Sequence, residues 1–215
     1  MHNSVDKINS IKKEILAKSN KNVNIIAVSK TFPINDILPL INNGHIHFGE
    51  NKIQEATEKW SDIKKDFEHI QLHMIGKLQT NKVKNAISLF DYIHSLDSLK
   101  LAEKISKEQI KQKKDIKIFI QVNIGKEPQK NGVEIDELEN FYKICSEKFS
   151  LNIIGLMCLP PDDYDANPYF LKIKELNEKL NLKDLSIGMS NDYTDALNYN
   201  STFLRIGSKI FGNRN

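Results

Sequence analysis

The sequence predicts an α/β chain folded as a single (β/α)8 barrel, and three observations predict it. Strand and helix signals alternate from end to end, which implies parallel βαβ units. Eight strand signals can be counted, and eight such units suggest a closed barrel. The length of 215 residues suits one domain and falls near the lower limit for that fold. Periodicity leaves an open doubly wound sheet as the alternative.

The elements follow in order. Residues 1–20 read as an additional amphipathic helix packed on the barrel, because Val5, Ile8, Ile11 and Ile15 recur at helical spacing. The first strand is 24–29, a near-continuous apolar run of the kind buried parallel strands show, stopped by Thr31-Phe32-Pro33. Residues 34–43 read as a helix closed by Gly44, and 45–48 as a short strand ending at Gly49. A helix over 52–60, a strand over 70–74 closed by Gly76, a helix over 80–89 and a strand over 92–95 come next. The helix at 99–111 carries Leu101, Ile105 and Ile110 on roughly one face, and 116–124 is a strong fifth strand. A helix spans 135–149, and the sixth strand, 151–157, has Gly155 inside it. Pro160-Pro161-Asp162-Asp163 reads as a loop. The last elements are a helix over 169–180, a strand over 185–187, a helix over 192–198, the eighth strand over 202–206 and a short terminal segment. The domain expected is thus one unit, 1–215, with no room for a second.

Composition narrows the classes of function. Lys+Arg total 31 against Asp+Glu 28, and the net charge of +3 is spread along the chain. That argues against nucleic acid as a partner. Cys145 and Cys158 make neither a disulfide framework nor a metal site, which favours a reducing compartment. No zinc or calcium spacing appears. With no signal-peptide core and no apolar stretch of spanning length, a cytoplasmic protein away from membranes is expected.

Lys30 ends the first strand, where α/β folds place their ligand sites. Partial desolvation there lowers the pKa of an amine and makes it available as a nucleophile or Schiff-base former. A lysine snorkelling to water is the bland alternative. Strand seven runs into Gly188-Met189-Ser190-Asn191-Asp192 and strand eight into Gly207-Ser208-Lys209. Barrels commonly bind phosphate with these two loops, where glycine admits an anion and hydroxyl and N–H groups point at it. Two ordinary Gly/Ser turns are the alternative. A phosphate site joined to a Schiff-base lysine suggests pyridoxal 5′-phosphate. Glu50 and Asp192 read either as a carboxylate pair or as charges at helix N-termini. His73 reads as a hydrogen-bonded core histidine, and 126–132 as mostly a surface loop. Arg205 and Arg214 are the only arginines, and Arg205 stands inside an apolar strand.

The strings AVSK at 27–30, FGEN at 48–51 with Gln54-Glu55, HMIGKLQTNK at 73–82, GLM at 155–157, IGMSND at 187–192 and RIGSKIFG at 205–212 occur in this order. Together they resemble the pyridoxal phosphate homeostasis protein family, over about residues 5–212. That family is similar to the barrel domain of alanine racemase (a TIM barrel) without its second domain. The resemblance implies that Lys30 holds pyridoxal 5′-phosphate as a Schiff base. It places Ser190, Gly207 and Ser208 around the phosphate, Arg205 beside the pyridine nitrogen, and Asn51 and Met157 along the pocket. An arginine in that position keeps the nitrogen unprotonated and makes the ring a poor electron sink. Leu72 stands where the family usually has an aromatic residue, and Ser208 where threonine is also common. The function implied is vitamin B6 homeostasis without established turnover, with pyridoxal-phosphate-dependent apo-enzymes as partners and a monomeric state. A weak amino-acid racemase is the alternative, with Tyr193 or His73 as its second base. A Schiff-base lyase or aldolase without pyridoxal phosphate is a third reading, and it leaves the Ser190 and Arg205 loops without a joint explanation.

Overall fold

Eight parallel strands pair in sequence order and close on themselves, β1 to β8. The computed structural model describes residues 3–19, 22–127, 129–161 and 165–212; Asp162 and Asp163 of the expected proline-rich loop lie outside them. The chain runs α1 (Asn3–Lys18), β1 (Asn24–Val28), α2 (Ile34–Asn42), β2 (His47–Glu50), α3 (Ile53–Trp60), α4 (Ile63–Asp66), β3 (Gln71–Met74) and α5 (Val83–Leu89). It continues through β4 (Tyr92–Leu96), α6 (Leu99–Gln112), β5 (Lys117–Val122), α7 (Leu138–Lys143), β6 (Ile153–Cys158) and α8 (Asn167–Lys179). It ends with β7 (Asp184–Met189), α9 (Tyr193–Ala196), β8 (Phe203–Ile206) and α10 (Ser208–Phe211).

The period of two along each strand divides the apolar residues into two sets. Ile25, Phe48, Leu72, Ile93, Ile118, Leu156, Leu185 and Leu204 belong to the large cluster between sheet and helices. Ile26, Tyr92, Phe119, Met157 and Phe203 form a separate cluster inside the barrel. Leu72 is therefore packed toward the helices, away from the interior. The face of α1 made by Val5, Ile8, Ile11 and Ile15 is buried, and the helix packs against α2 and α10.

Several elements differ from expectation, among them the unexpected helix α4, and three of the differences have a clear physical cause. The second strand is displaced two residues along the chain, because Gly49 and Glu50 are paired with His73 and Met74 instead of turning. Gly49 is a site of close approach: a Cβ there would lie 2.8 Å from Ile26 Cγ2. The helix expected over 135–149 begins as a 3-10 turn, Ile135–Glu137, and ends as a π-helical turn, Ile144–Lys148. That widening lets the Cys145 carbonyl accept the Leu151 N–H at 3.0 Å while Cys145 itself stays buried. Third, the strand expected over 185–187 extends to Met189, which pairs with Arg205 across a register shift; within that shift Gly188 takes φ +90°, where a Cβ would collide with Ala196 and Leu204.

Glycine substitutions separate close packing from backbone preference. A Cβ on Gly155 would run into the Asp184 carbonyl of the neighbouring strand and the Phe119 ring. Gly155→Ala is expected to cost about 1–3 kcal/mol or more. Gly44, at φ +78° with nothing within 4 Å of its Cβ position, is expected to lose only about 1 kcal/mol as alanine. Urea denaturation of both variants orders the two costs.

Candidate functional site

A cavity of about 870 Å3 opens at the carboxyl ends of the strands, lined by Lys30, Asn51, Ser190, Arg205, Gly207 and Ser208. These are six of the seven residues expected there. The seventh, Met157, is fully buried in the interior cluster instead. Alternation along β6 turns it into the barrel, level with Ser186 of β7, so it supports the site from within and is not part of its lining.

The phosphate-type loops converge. The N–H groups of Gly207 and Lys209 point at Ser190 Oγ, at 3.3 and 3.5 Å. The Met189 N–H donates to Asp192 Oδ1 at 2.6 Å, which holds the β7 loop in shape. Two donors from one loop thus face a hydroxyl from the other, a donor set that suits an oxyanion.

Lys30 sits on a braced turn. Ser29 before it donates from its hydroxyl to Glu50 Oε1 at 2.7 Å, and the Ser29 carbonyl accepts from Lys59 Nζ at 2.9 Å. Thr31 after it has φ +70° and donates its N–H to Glu55 Oε1 at 2.5 Å. Lys59 joins both carboxylates, at 3.0 Å from Glu50 and 3.0 Å from Glu55. Trp60 Nε1 also donates to Glu50, at 3.0 Å. Glu50 is fully buried. Its Oε2 has no hydrogen-bond partner among the described residues. Glu50 and Asp192 are therefore spent on different partners and make no carboxylate pair.

Arg205 is buried with its fork saturated on one side. Nη1 donates to the Ser186 carbonyl at 2.6 Å and to its Oγ at 2.7 Å, and Nη2 donates to the Cys158 carbonyl at 2.9 Å. Neither proposed second base lines the cavity. His73 is fully buried inside the barrel. Tyr193 gives its hydroxyl to Glu14 of α1, and burial together with that carboxylate pushes the phenol up to about 12. The 126–132 loop, expected to be mostly surface, brings Lys130 to the cavity wall, where Nζ donates to the Pro160 carbonyl at 3.0 Å. Burial pushes both Cys145 and Cys158 up to about 12, so neither is a nucleophile at neutral pH.

Sequence reasoning missed the Lys59 brace, Trp60 as a partner of Glu50, and two polar groups inside the barrel, His94 and Ser186. Of the brace, Glu50 was signalled by the FGEN string and Glu55 by the Gln54-Glu55 pair that follows it. The others join strands and helices whose contacts no local spacing encodes.

The profile of the family described as "Alanine racemase, N-terminal domain" matches residues 5–215. Fold and site thus define a barrel protein of the alanine-racemase type. A protein of Aquifex aeolicus named "Pyridoxal phosphate homeostasis protein" is 37% identical over 199 residues, 88% of this chain and 86% of its own length. PipY of Synechococcus elongatus, solved with PLP bound, is 30% identical with a TM-score of 0.88, over 97% of this chain and 100% of that one. Alanine racemase from Corynebacterium glutamicum is 16% identical with a TM-score of 0.72, and the match covers 61% of it; there the fold alone is shared. The chain belongs to the alanine racemase N-terminal domain family and, within it, to the pyridoxal phosphate homeostasis proteins.

Two outcomes follow from the buried charges. Lys59→Met leaves Glu50 buried without its cation and is expected to cost about 3–5 kcal/mol by denaturant titration, most of it recovered when Glu50→Gln is added. The second concerns pH. Burial, followed by the charge of Lys117, lowers His47 from 6.5 to about 4, and burial followed by Lys12 lowers His45 to about 3. A folded-state value below the unfolded one means that the unfolded chain takes up protons first. This part of the stability is complete above pH 6.5 and is lost as pH falls toward 4. The urea midpoint at pH 5 is therefore expected below that at pH 7.5, with a smaller gap in His47→Gln.

Proposed function

We infer that this protein binds pyridoxal 5′-phosphate, holds it covalently on Lys30, and serves the balance of that cofactor in the cytoplasm without turning over a substrate. The observation that carries this reading is the meeting of Lys30, Arg205, Ser190, Gly207 and Ser208 in one cavity, with the Gly207 and Lys209 N–H groups aimed at Ser190 Oγ. The names of the relatives and the PLP bound to PipY support it.

When bound, the cofactor supplies an aldehyde that condenses with a lysine amine and a phosphate that takes N–H donors. The residues present fit both. Lys30 offers the amine on its braced turn. Gly207, Lys209, Ser190 and Ser208 offer the phosphate donors. Arg205 has only N–H groups to present, so it meets a ring nitrogen as a donor and disfavours a proton there. Asn51 completes the polar wall.

Racemisation of the alanine type asks for a base on each face of a substrate. Lys30 serves one face, while Tyr193 and His73 stand outside the cavity. Holding and releasing the cofactor to pyridoxal-phosphate-dependent apo-enzymes is the role this arrangement favours, with the chain acting as a monomer.

The test is the visible spectrum of the protein with added pyridoxal phosphate, before and after borohydride. A coloured band in the wild type that reduction fixes to the chain, and that Lys30→Ala lacks, is expected. A wild type that stays colourless and carries no reduced adduct would refute the assignment. Deuterium exchange at Cα of amino acids, present in the wild type and lost in Lys30→Ala, would favour the racemase instead.

A further inference from the structure

Barrels of this kind fill their interior with layers of branched apolar side chains, yet here a line of polar groups runs through it. His47 opens β2 and is half-buried. His47 Nδ1 lies 2.9 Å from His73 Nε2 on β3, and His73 Nδ1 lies 2.9 Å from His94 Nε2 on β4. His94 Nδ1 lies 2.9 Å from Ser186 Oγ on β7. That last step crosses the lumen, since β5 and β6 separate β4 from β7 around the sheet. Arg205 Nη1 closes the line at 2.7 Å from Ser186 Oγ. His73, His94 and Ser186 are fully buried. The Tyr92 ring stacks on His73 at 4.1 Å and Phe119 on His94 at 4.3 Å, which fixes the planes of both imidazoles.

The chemistry of the ends sets the direction of the line. A guanidinium has five N–H groups and no acceptor. Ser186 Oγ therefore accepts from Arg205, and its own proton goes to His94 Nδ1. His94 then carries its proton on Nε2 and donates to His73 Nδ1. His73 in turn donates from Nε2 to His47 Nδ1, and His47 Nε2–H is left at the amino-terminal end of the barrel. The opposite direction would leave the buried Ser186 hydroxyl proton without an acceptor, which costs free energy. Because Arg205 cannot accept, the line cannot deliver a proton to the cavity. Orientation is the work left to it.

We propose that Ser186, His94 and His73 are positioning residues for Arg205: a one-way hydrogen-bond column that fixes the guanidinium against the cofactor ring and holds these histidines in the Nε2–H form. The proposal rests on the pyridoxal phosphate reading for the identity of that ring. The column needs neutral imidazoles, since a second ring proton would replace an acceptor by a donor. Burial first, and then the Arg205 charge, hold His94 well below its ordinary value, and burial with the neighbouring His94 and His47 does the same for His73.

The experiment reads the column with and without cofactor. In 15N-labelled wild type free of cofactor at neutral pH, His73 and His94 are expected with protonated Nε2 and bare Nδ1, and Arg205 with resolved, slowly rotating Nη–H signals. In Ser186→Ala the His94 signals should become a tautomer mixture and the Arg205 Nη1–H signals should shift and broaden, with the bonds to the Ser186 and Cys158 carbonyls remaining, while Ser186→Thr restores the wild-type signals. With pyridoxal phosphate added, Ser186→Ala should shift the visible band of the bound cofactor and Ser186→Thr should return it. A Nδ1–H or doubly protonated ring at His73 or His94 in the wild type overturns the proposal. So does a folded Ser186→Ala with unchanged Arg205 signals. If Ser186→Ala does not fold, the wild-type tautomers and the Ser186→Thr signals decide. A wild type that shows the column but never colours would refute the cofactor reading and leave the fixing of Arg205 standing.

Discussion

Ile26 pairs with Arg205 and Ala27 with Ile206 where β1 meets β8, and the barrel closes through that ladder. Everything at the site hangs on it. Lys30 leaves the sheet beside the strand that carries Arg205 and leads into Gly207 and Ser208, so a lysine near one end of the chain and an anion cradle near the other share one rim. The parity of the strands does the rest. Ile26 faces the interior, and Val28 and Lys30 of the same parity line the cavity. Ser29, between them, turns outward to Glu50.

Two buried polar systems flank this rim, and they solve different problems. Outside the sheet, Glu50, Lys59 and Glu55 grip the residues on either side of Lys30 and so support a turn whose Thr31 takes a conformation that L-residues adopt reluctantly. Inside the sheet, the histidines and Ser186 occupy volume that aliphatic residues would fill more cheaply. Such groups are tolerable because nearly every donor and acceptor has a partner. Among the described residues at the site, Glu50 Oε2 is the exception. Both systems are rigid connections rather than loops, and they leave the amine and the guanidinium on supports that packing alone would not provide.

Local pattern was a good guide where the period was strong. The apolar run before Lys30 and the long strand at β5 are recognisable from the chain alone, as are the Gly-Ser turns after β7 and β8. It misled where a residue type has two meanings. Gly49 reads as a turn but is a strand residue that makes room for Ile26. Glu50 reads as a helix N-terminal charge but is a buried acceptor, because Lys59 and Trp60 come back over it from α3. Met157, placed along the pocket by the family resemblance, faces the interior.

By itself the sequence determined the order and type of most elements, the parallel α/β class, and four residues of the cavity, Lys30, Ser190, Gly207 and Ser208, because hydrophobic period and turn chemistry act between near neighbours; Asn51 and Arg205 came from the family resemblance. Only the tertiary structure decided which way Met157 turns, what satisfies Glu50, and that His47, His73 and His94 line up on Ser186 and Arg205. Those outcomes depend on the register of strands far apart in the chain. Register is set when the whole sheet closes, and no local segment carries it.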